Sequence, residues 1–190
     1  MTQPQGYGPY QQQPPPGYRP LPPSLSPAGQ PLADFGVRLL AYVIDMAILT
    51  AVAMALAIPV FLIAFYTMAP EVDPQTGGFA VGPFLLTFLF IELGFLLALL
   101  AAYYVYYVEM MYRSGQTVGK KAMKLRVVPI EPGATLTRGM AAKRYAVEFV
   151  GGMLIPFFSY LDGLWQLWDK PYLQTLHDKV AQTVVVKVPA

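Results

Sequence analysis

Residues 37–65 read VRLLAYVIDMAILTAVAMALAIPVFLIAF, an apolar run whose only charged residues are Arg38 and Asp45. About 20 apolar residues are enough for a helix to cross a bilayer, so this run is long enough to span one. An aspartate at the middle of a membrane helix costs about 2.5–3.5 kcal/mol on insertion scales. Because seven residues make nearly two helical turns, Arg38 and Asp45 lie on almost the same face, about 10 Å apart along the axis. The two charges therefore need a structural or chemical reason.

The composition indicates a membrane protein. The chain has 190 residues, of which 55% are hydrophobic and only 13% are charged, whereas soluble domains carry about 25% charged residues. A net charge of +2 is too small to indicate a nucleic-acid partner. The absence of cysteine and the single histidine exclude a disulfide framework, a thiolate metal site and a metal site built on a histidine pair. We expect no cofactor and no bound metal.

Three apolar segments are predicted to be helical, over residues 37–66, 83–108 and 145–168. The first two are long enough to be transmembrane helices. The third contains Gly151, Gly152 and Pro156, and the proline is expected to bend or break it. The predicted fold is therefore a mainly α, helical integral membrane protein with two transmembrane helices and a third segment that is bent or interfacial.

Two short β-branched stretches, residues 124–130 (KLRVVPI) and 183–188 (TVVVKV), are predicted to be strands. A lone strand is not stable, so we expect the two to pair as a short cytoplasmic sheet. Residues 145–168 must then begin and end on the same side of the membrane, either as two short arms bent at Pro156 or as a helix lying at the interface. A single crossing, the remaining alternative, would place the C-terminus on the opposite side.

The loops predict the orientation. Residues 67–82 contain Glu71 and Asp73 but no lysine or arginine, whereas residues 109–144 are rich in both. Because short Lys/Arg-rich loops stay in the cytoplasm, we predict a multi-pass protein of the cell (plasma) membrane with a cytoplasmic N-terminus. Lys120, Lys121 and Lys124 are expected to contact anionic headgroups of the lipid bilayer.

The first 33 residues form a separate region, dominated by Pro, Gln, Gly and Tyr. Such a composition cannot bury enough apolar surface to offset the entropy of ordering, so residues 1–33 are predicted to be a disordered, Pro-rich cytoplasmic tail. The tail is either a solvated spacer or a docking strip for a protein partner. Residues 34–188 are predicted to be the membrane domain.

The polar residues within the apolar segments differ in their depth along the helices. Tyr103 lies near the inner end of the second helix, where its hydroxyl could donate to Asp45; the alternative is that it belongs to an aromatic belt at the headgroups. Asp45, Glu92, Tyr103 and Asp162 are the candidates for an ion or proton pathway. Arg38, at the cytoplasmic end of the first helix, is expected to pair with one of three anions, which are Glu109, Asp178 and a lipid phosphate.

Three motifs together resemble a known family. They are FGVRLLAYVID (residues 35–45), GQTVGKKAMKLRVV (residues 115–128) and QTLHDKVAQTVVV (residues 174–186). In this order they look like the RDD family of membrane proteins, which is named for one arginine and two aspartates, here Arg38, Asp45 and Asp178. The resemblance covers residues 32–188. It departs at Gln182, where the family usually has glycine, and at Lys120-Lys121, where Lys-Arg is more usual.

The resemblance implies an architecture more than an activity, since transport is proposed for the family and cation–proton exchange is suggested for some members. Two hypotheses follow. In the first, the chain is a small transporter or exchange unit that uses the buried Asp45 and forms a homo-oligomer, because two or three helices are too few to enclose a pathway. In the second, it is a non-transporting membrane scaffold whose Pro-rich tail recruits partners. An enzyme is not expected, because no nucleophile accompanies His177-Asp178.

Overall fold

The first helix of the chain, α1 (Phe35–Thr67), has 33 residues. The computed structural model describes residues 24–67, 75, 77–78 and 81–189. Asp34 precedes α1 and accepts a hydrogen bond from the amide of Val37 at 3.1 Å, as an N-cap residue does. The helix extends slightly beyond the predicted bounds of 37–66 at both ends.

The second helix, residues 81–114, begins as α2 (Val81–Tyr104) and does not end near residue 108 as predicted. It passes into a π-helical segment, Val105–Glu109, and then into α3 (Met110–Ser114). The helix stops at Gly115, which has the left-handed conformation with φ 71°. A π turn takes in one more residue than an α turn, so it changes which side chains face the first helix.

Both long helices are apolar enough to cross a membrane, judged by length and composition, over Phe35–Tyr66 and Phe84–Ser114. In the most apolar 18-residue stretch of each helix, only 6% of the first helix and 0% of the second helix is buried inside the protein. A core helix of a soluble protein would be mostly buried, whereas these helices present large side chains such as Phe61 and Phe90 to the surroundings. Two apolar helices with exposed faces indicate a membrane protein.

The predicted strand pair is confirmed. Strands β1 (Leu125–Pro129) and β2 (Thr183–Lys187) form a two-stranded antiparallel sheet in which Val127 lies opposite Val185. Two short helices flank the strands in sequence, α4 (Val118–Ala122) before β1 and α8 (Leu176–Val180) before β2. We call residues 115–130 and 174–187, which contain these four elements, the cap.

Residues 24–33, which we assigned to a disordered tail, are instead folded against the sheet. The amide of Ala33 donates to the carbonyl of Val185 at 2.9 Å, and the amide of Lys187 donates to the carbonyl of Pro31 at 2.8 Å. Leu32 and Ala33 are buried. The free edge of β2 explains this result, since an unpaired strand edge favours the addition of an extended segment. The rest of the predicted tail, residues 1–23, lies outside the described residues.

The third apolar segment is broken into two arms rather than one helix over residues 145–168. The first arm begins earlier than predicted and contains α5 (Arg138–Tyr145), a π-helical segment (Ala146–Val150) and α6 (Gly151–Leu154). The chain reverses at residues 155–157, around Pro156, and returns as α7 (Phe158–Trp165). This agrees with the alternative of two short arms bent at Pro156.

The main core lies where α1 and the segment before it, the C-terminal end of the second helix, the first arm and the sheet meet. Its buried members are apolar residues from all of these parts: Ala33, Ala41, Val108, Met111, Leu125, Val127, Ala141 and Val185. The core therefore fastens the cap to the two long helices. Asp45 and Asp178, both with 0% exposure, lie beside it.

Candidate functional site

Asp45, in α1, has no solvent exposure and is held by three hydrogen-bond donors. Its Oδ1 accepts from the hydroxyl of Tyr106 and from the amide of Gly119, both at 2.6 Å. Its Oδ2 accepts from the hydroxyl of Thr117 at 2.5 Å. All three donors are neutral groups. We call this arrangement the Asp45 clamp.

The local sequence of the cap explains the clamp. Thr117 is the N-cap of α4, and its Oγ1 also accepts from the amide of Lys120 at 3.3 Å. Gly119 follows in the first turn, where helix amides are free to donate to an outside acceptor. A Cβ at this glycine would lie 2.1 Å from the carbonyl oxygen of Ala41, so only glycine permits this approach of α4 to α1. The sequence TVG at residues 117–119 thus binds the aspartate of the first helix.

Two alternatives were open for Tyr103, and the one in which it donates to Asp45 is wrong, because Tyr106 makes that hydrogen bond. Tyr103 instead packs against Phe149, with ring centroids 5.6 Å apart, and against Tyr107 at 6.1 Å. Tyr106 lies within the π-helical segment, which an α-helical projection of the sequence does not anticipate.

The side chain of Lys120, which is predicted to contact headgroups, is directed toward Asp45. It is half-buried, and its Nζ lies 4.0 Å from Oδ2 of Asp45. Burial lowers the pKa of the Lys120 ammonium, while the nearby carboxylates, including Asp45, oppose that change. Lys121 and Lys124 are exposed, so their contact with headgroups remains a prediction.

Asp178, in α8, is also fully buried, but its partners are charged. Its Oδ2 accepts from Nη1 of Arg38 at 3.0 Å, and its Oδ1 accepts a short hydrogen bond from Nη1 of Arg144. Arg38 also donates to the carbonyl of Val185 at 3.4 Å, and Arg144 donates to the hydroxyl of Thr183 at 2.6 Å. We call this arrangement the Asp178 latch.

Of the three anions considered for Arg38, the structure therefore brings Asp178 to it. Asp178 also forms a capping box with Thr175, the N-cap of α8. Sequence reasoning missed Arg144, which was counted only among the charges of a basic loop. Glu109 pairs instead with Arg138, at 2.7 Å, and with Arg113 at 3.9 Å.

The electrostatic balance at the latch keeps Asp178 ionised. Burial alone would raise the pKa of this carboxyl, but the positive charges of Arg144 and Arg38 hold it well below its usual range. The Nε atoms of both arginines are buried and have no hydrogen-bond partner among the described residues. Removing the carboxylate would leave two buried guanidinium groups without their counter-ion.

The four residues predicted to form a pathway lie in different surroundings. Asp45 is in the clamp, and Tyr103 is in an aromatic cluster. Asp162 is buried and accepts from the amide of His177 at 2.9 Å, with Nδ1 of His177 2.6 Å from its other oxygen. Glu92 is exposed on α2, in a shallow groove lined otherwise by Leu89, Leu93, Phe95, Leu96 and Leu99. The described residues do not join these four positions into one path.

One further polar cluster surrounds His177, whose Nδ1 lies 4.0 Å from Glu148 and 2.6 Å from Asp162. Its Nε2 lies 3.9 Å from Asp178, so the cluster adjoins the latch. Within the part of the chain that the structure describes, no group of three or more His, Cys, Asp or Glu side chains is arranged to hold a metal ion.

Comparison with protein families gave one match, in which the model of the RDD family matches residues 32–182, most of the chain. Neither the comparison with curated proteins nor that with solved structures gave a match. The matched region contains all residues of the Asp45 clamp and the charged residues of the Asp178 latch, Arg38, Arg144 and Asp178.

Proposed function

The chain belongs to the RDD family, and on that premise we propose that it is a membrane scaffold in which two buried carboxylates fasten the cap to the first helix. The observation that carries this proposal is that both carboxylates are fully buried and that their donors come from other elements. Asp45 joins α1 to the second helix and to α4. Asp178 joins α8 to α1 and α5.

The closed geometry of the Asp45 clamp favours a scaffold over transport through this residue. An ion or proton site in a transporter must reach water at some stage of its cycle. Both oxygens of Asp45 already accept hydrogen bonds, and a glycine gives α4 its close approach to the carboxylate.

Cation–proton exchange is the second candidate. The contact between Lys120 and Asp45 favours it, because a lysine whose pKa is lowered by burial gives up its proton more readily than a solvated one. Exchange requires the clamp to open and requires Glu92 or Asp162 to act as a second station. A wild-type flux in proteoliposomes would support this candidate.

The proposed setting is the cell membrane, with α1 and the second helix crossing it and the N-terminus and cap in the cytoplasm. The positive-inside rule supports this orientation, because residues 109–144 carry many lysines and arginines and residues 67–82 carry none. The exposed Lys121 and Lys124 would then face anionic headgroups.

We propose a homo-oligomer that forms through the exposed face of α2 around Glu92. A carboxyl group facing acyl chains is costly, and a second copy placing its own Glu92 there would supply a hydrogen-bonding partner. Glu92→Leu should leave the thermal stability of each copy unchanged and reduce crosslinking between copies in membranes. Crosslinking as strong as in the wild type would contradict this interface.

The tail is proposed to recruit a protein partner. Because residues 24–33 pack against the sheet, the deletion that tests this is Met1 to Pro23 and not a longer one. Deletion should change the distribution of the protein in the cell while its melting temperature stays constant. Substitution of Tyr7, Tyr10 and Tyr18 by alanine distinguishes tyrosine contacts from a spacer effect. An unchanged distribution in both variants would contradict the recruiting role.

Hydrogen exchange tests the fastening of the cap. Asp178→Asn should speed the exchange of the amides in β1 and β2 while α1 stays inserted, since the latch holds the cap and not the helix. The control is Glu131→Gln, because Glu131 is exposed, follows β1 and lies outside the latch. Equal exchange of the strands in wild type and Asp178→Asn would contradict the proposal.

A further inference from the structure

The two arms of the third segment expose an apolar surface that no described part of the chain covers. We call residues 138–165 the hairpin. At its turn Leu154 is 73% exposed and Phe157 is 82% exposed. From Ala146 to Trp168 every exposed residue is apolar or aromatic except Ser159. Such a surface on a water-exposed element would be an aggregation liability.

Contacts along the second helix give the direction of the first arm. Arg138 pairs with Glu109 and lies over the ring of Tyr112. Further along the arm, Tyr145 meets Tyr104, and Phe149 meets Tyr103 with ring centroids 5.6 Å apart. As the residue number rises in the hairpin it falls in the second helix. The first arm therefore runs antiparallel to the second helix, toward its apolar middle.

The depth of the turn follows from helix geometry. Leu154 lies five residues beyond Phe149, which adds about 7–8 Å along the axis. The second helix at that level reads LLALLAA, residues 96–102, and has no polar side chain. The exposed turn of the hairpin thus lies beside the apolar stretch of a membrane helix.

The hairpin does not continue to the far side. Its first arm follows β1 in sequence, and its second arm leads to α8 and β2, which pairs with β1. Both ends of the hairpin therefore lie on the side of the cap. The arms pack closely, since a Cβ on Gly152 would lie 2.3 Å from Oγ of Ser159.

The two acidic side chains of the hairpin are directed away from its exposed surface. Asp162 is buried against His177, and Glu148 lies near the same imidazole. At the turn, the amide of Ile155 donates to Gly151 and that of Phe158 donates to Ile155, as burial in a bilayer requires of backbone amides. Trp165 and Trp168, a residue type enriched at membrane interfaces, lie where the second arm leaves the hairpin.

We propose that the hairpin is a re-entrant element, which enters one leaflet of the bilayer from the side of the cap and returns, with lipid acyl chains covering Leu154, Phe157 and Tyr160. The proposal rests on the two long helices crossing the membrane, as stated under the proposed function. It adds a third membrane contact that does not change the number of crossings.

The chain has only two tryptophans, both at the end of the hairpin, and this makes fluorescence a direct test. In a Trp165→Phe, Trp168→Phe background, single tryptophans are introduced by Phe157→Trp, by Phe88→Trp in α2 and by Glu131→Trp at an exposed turn. Each full chain is reconstituted in vesicles of brominated phosphatidylcholine. The tryptophan fluorescence of the Phe157→Trp variant should be quenched by bromolipid as strongly as that of Phe88→Trp, and only weakly by iodide. The fluorescence of Glu131→Trp should be quenched by iodide and only weakly by bromolipid.

Iodide quenching of Phe157→Trp at the level of Glu131→Trp would overturn the re-entrant hairpin while leaving the two crossings intact. Lack of bromolipid quenching in Phe88→Trp would overturn both. A second readout uses Ile155→Cys, since the chain has no other cysteine. An impermeant maleimide should fail to label it from either face of intact vesicles, and labelling from either face would contradict the proposal.

Discussion

Asp45 and Asp178 are both fully buried carboxylates of the family motif, yet the protein holds them in different ways. Asp45 accepts from two hydroxyls and one amide, and its nearest cation is 4.0 Å away. Asp178 is bonded directly to two guanidinium groups. The first site depends on hydrogen-bond geometry and close backbone approach, whereas the second depends on charge.

This difference predicts which substitutions each site tolerates. Neutral donors can serve an uncharged acceptor of the same shape, so the clamp should tolerate an amide. Two buried arginines need a negative charge, so the latch should not tolerate an amide in place of its carboxylate.

Asp178→Asn should cause the largest loss, about 3–5 kcal/mol in the free energy of unfolding, because it leaves two buried guanidinium groups without a counter-ion. The measurement is thermal or denaturant unfolding of the purified full chain in mild detergent. Glu131→Gln, at an exposed position, is the control and should change little. A loss of unfolding free energy no larger than that from Asp45→Asn would contradict the proposed difference between the two sites.

Acid should weaken the latch selectively. Since the pKa of Asp178 is lower in the folded than in the unfolded protein, the stability it contributes is present above about pH 4 and is lost as the pH falls below that value. The melting temperature of the wild type should therefore fall with acid more steeply than that of Asp178→Asn.

Asp34→Asn is the control for the acid effect, because Lys187 lowers the pKa of Asp34 by a hydrogen bond at an exposed site where solvent weakens it. This variant should keep the acid dependence of the wild type. Parallel acid profiles for the wild type and Asp178→Asn would contradict the charge-based account of the latch.

Gly119→Ala should cost about 1–3 kcal/mol, because the new methyl group cannot fit against the carbonyl of Ala41 without moving α4. Gly94→Ala is the matched control, since a Cβ there has nothing within 4 Å. Unfolding of both variants under the same conditions measures the difference. If the two alanines behaved alike, the close approach would not be needed for the clamp.

Asp45→Asn should cost about 1–2 kcal/mol, the range for disturbing one buried hydrogen bond. The amide oxygen can still accept from Tyr106 and Gly119, while the amide nitrogen must find a new arrangement with Thr117. Tyr106→Phe, which removes a single donor, should cost a similar amount. A loss as large as that of Asp178→Asn would mean that the negative charge of Asp45 is essential to the fold.

The smallest effect is expected at Lys120. Lys120→Met removes a cation 4.0 Å from Asp45 but also removes the cost of burying it, so the change should be below about 1 kcal/mol. Lys121→Met, at the exposed neighbour, is the matched control. A loss well above that of the control would identify Lys120 as a structural partner of the clamp.

The sequence predicted the broad architecture because hydropathy and β-branching are local signals. Two apolar helices and a strand pair follow directly from residue type. The partners of the carboxylates were harder to predict, since Tyr106 faces Asp45 within a π-helical segment and Gly119 approaches α1 only through tertiary packing. Arg144 was missed because loop charges were interpreted as topology signals alone.

Residues 24–33 illustrate a further limit. Their composition resembles that of the preceding tail, but the exposed edge of β2 provides backbone partners that composition cannot reveal. The signal that could have predicted this packing is the free edge of β2 together with a nearby extended segment. The return of the hairpin, by contrast, was inferred from the requirement that the two strands pair.

The most direct test of the scaffold is a combined measurement on Asp45→Asn, namely proton and cation flux in proteoliposomes together with the melting temperature of the same preparation. For a scaffold, we expect no flux above that of protein-free vesicles for the wild type, and a lower melting temperature for Asp45→Asn. A pH- or cation-dependent flux in the wild type that Asp45→Asn abolishes at an unchanged melting temperature would contradict it.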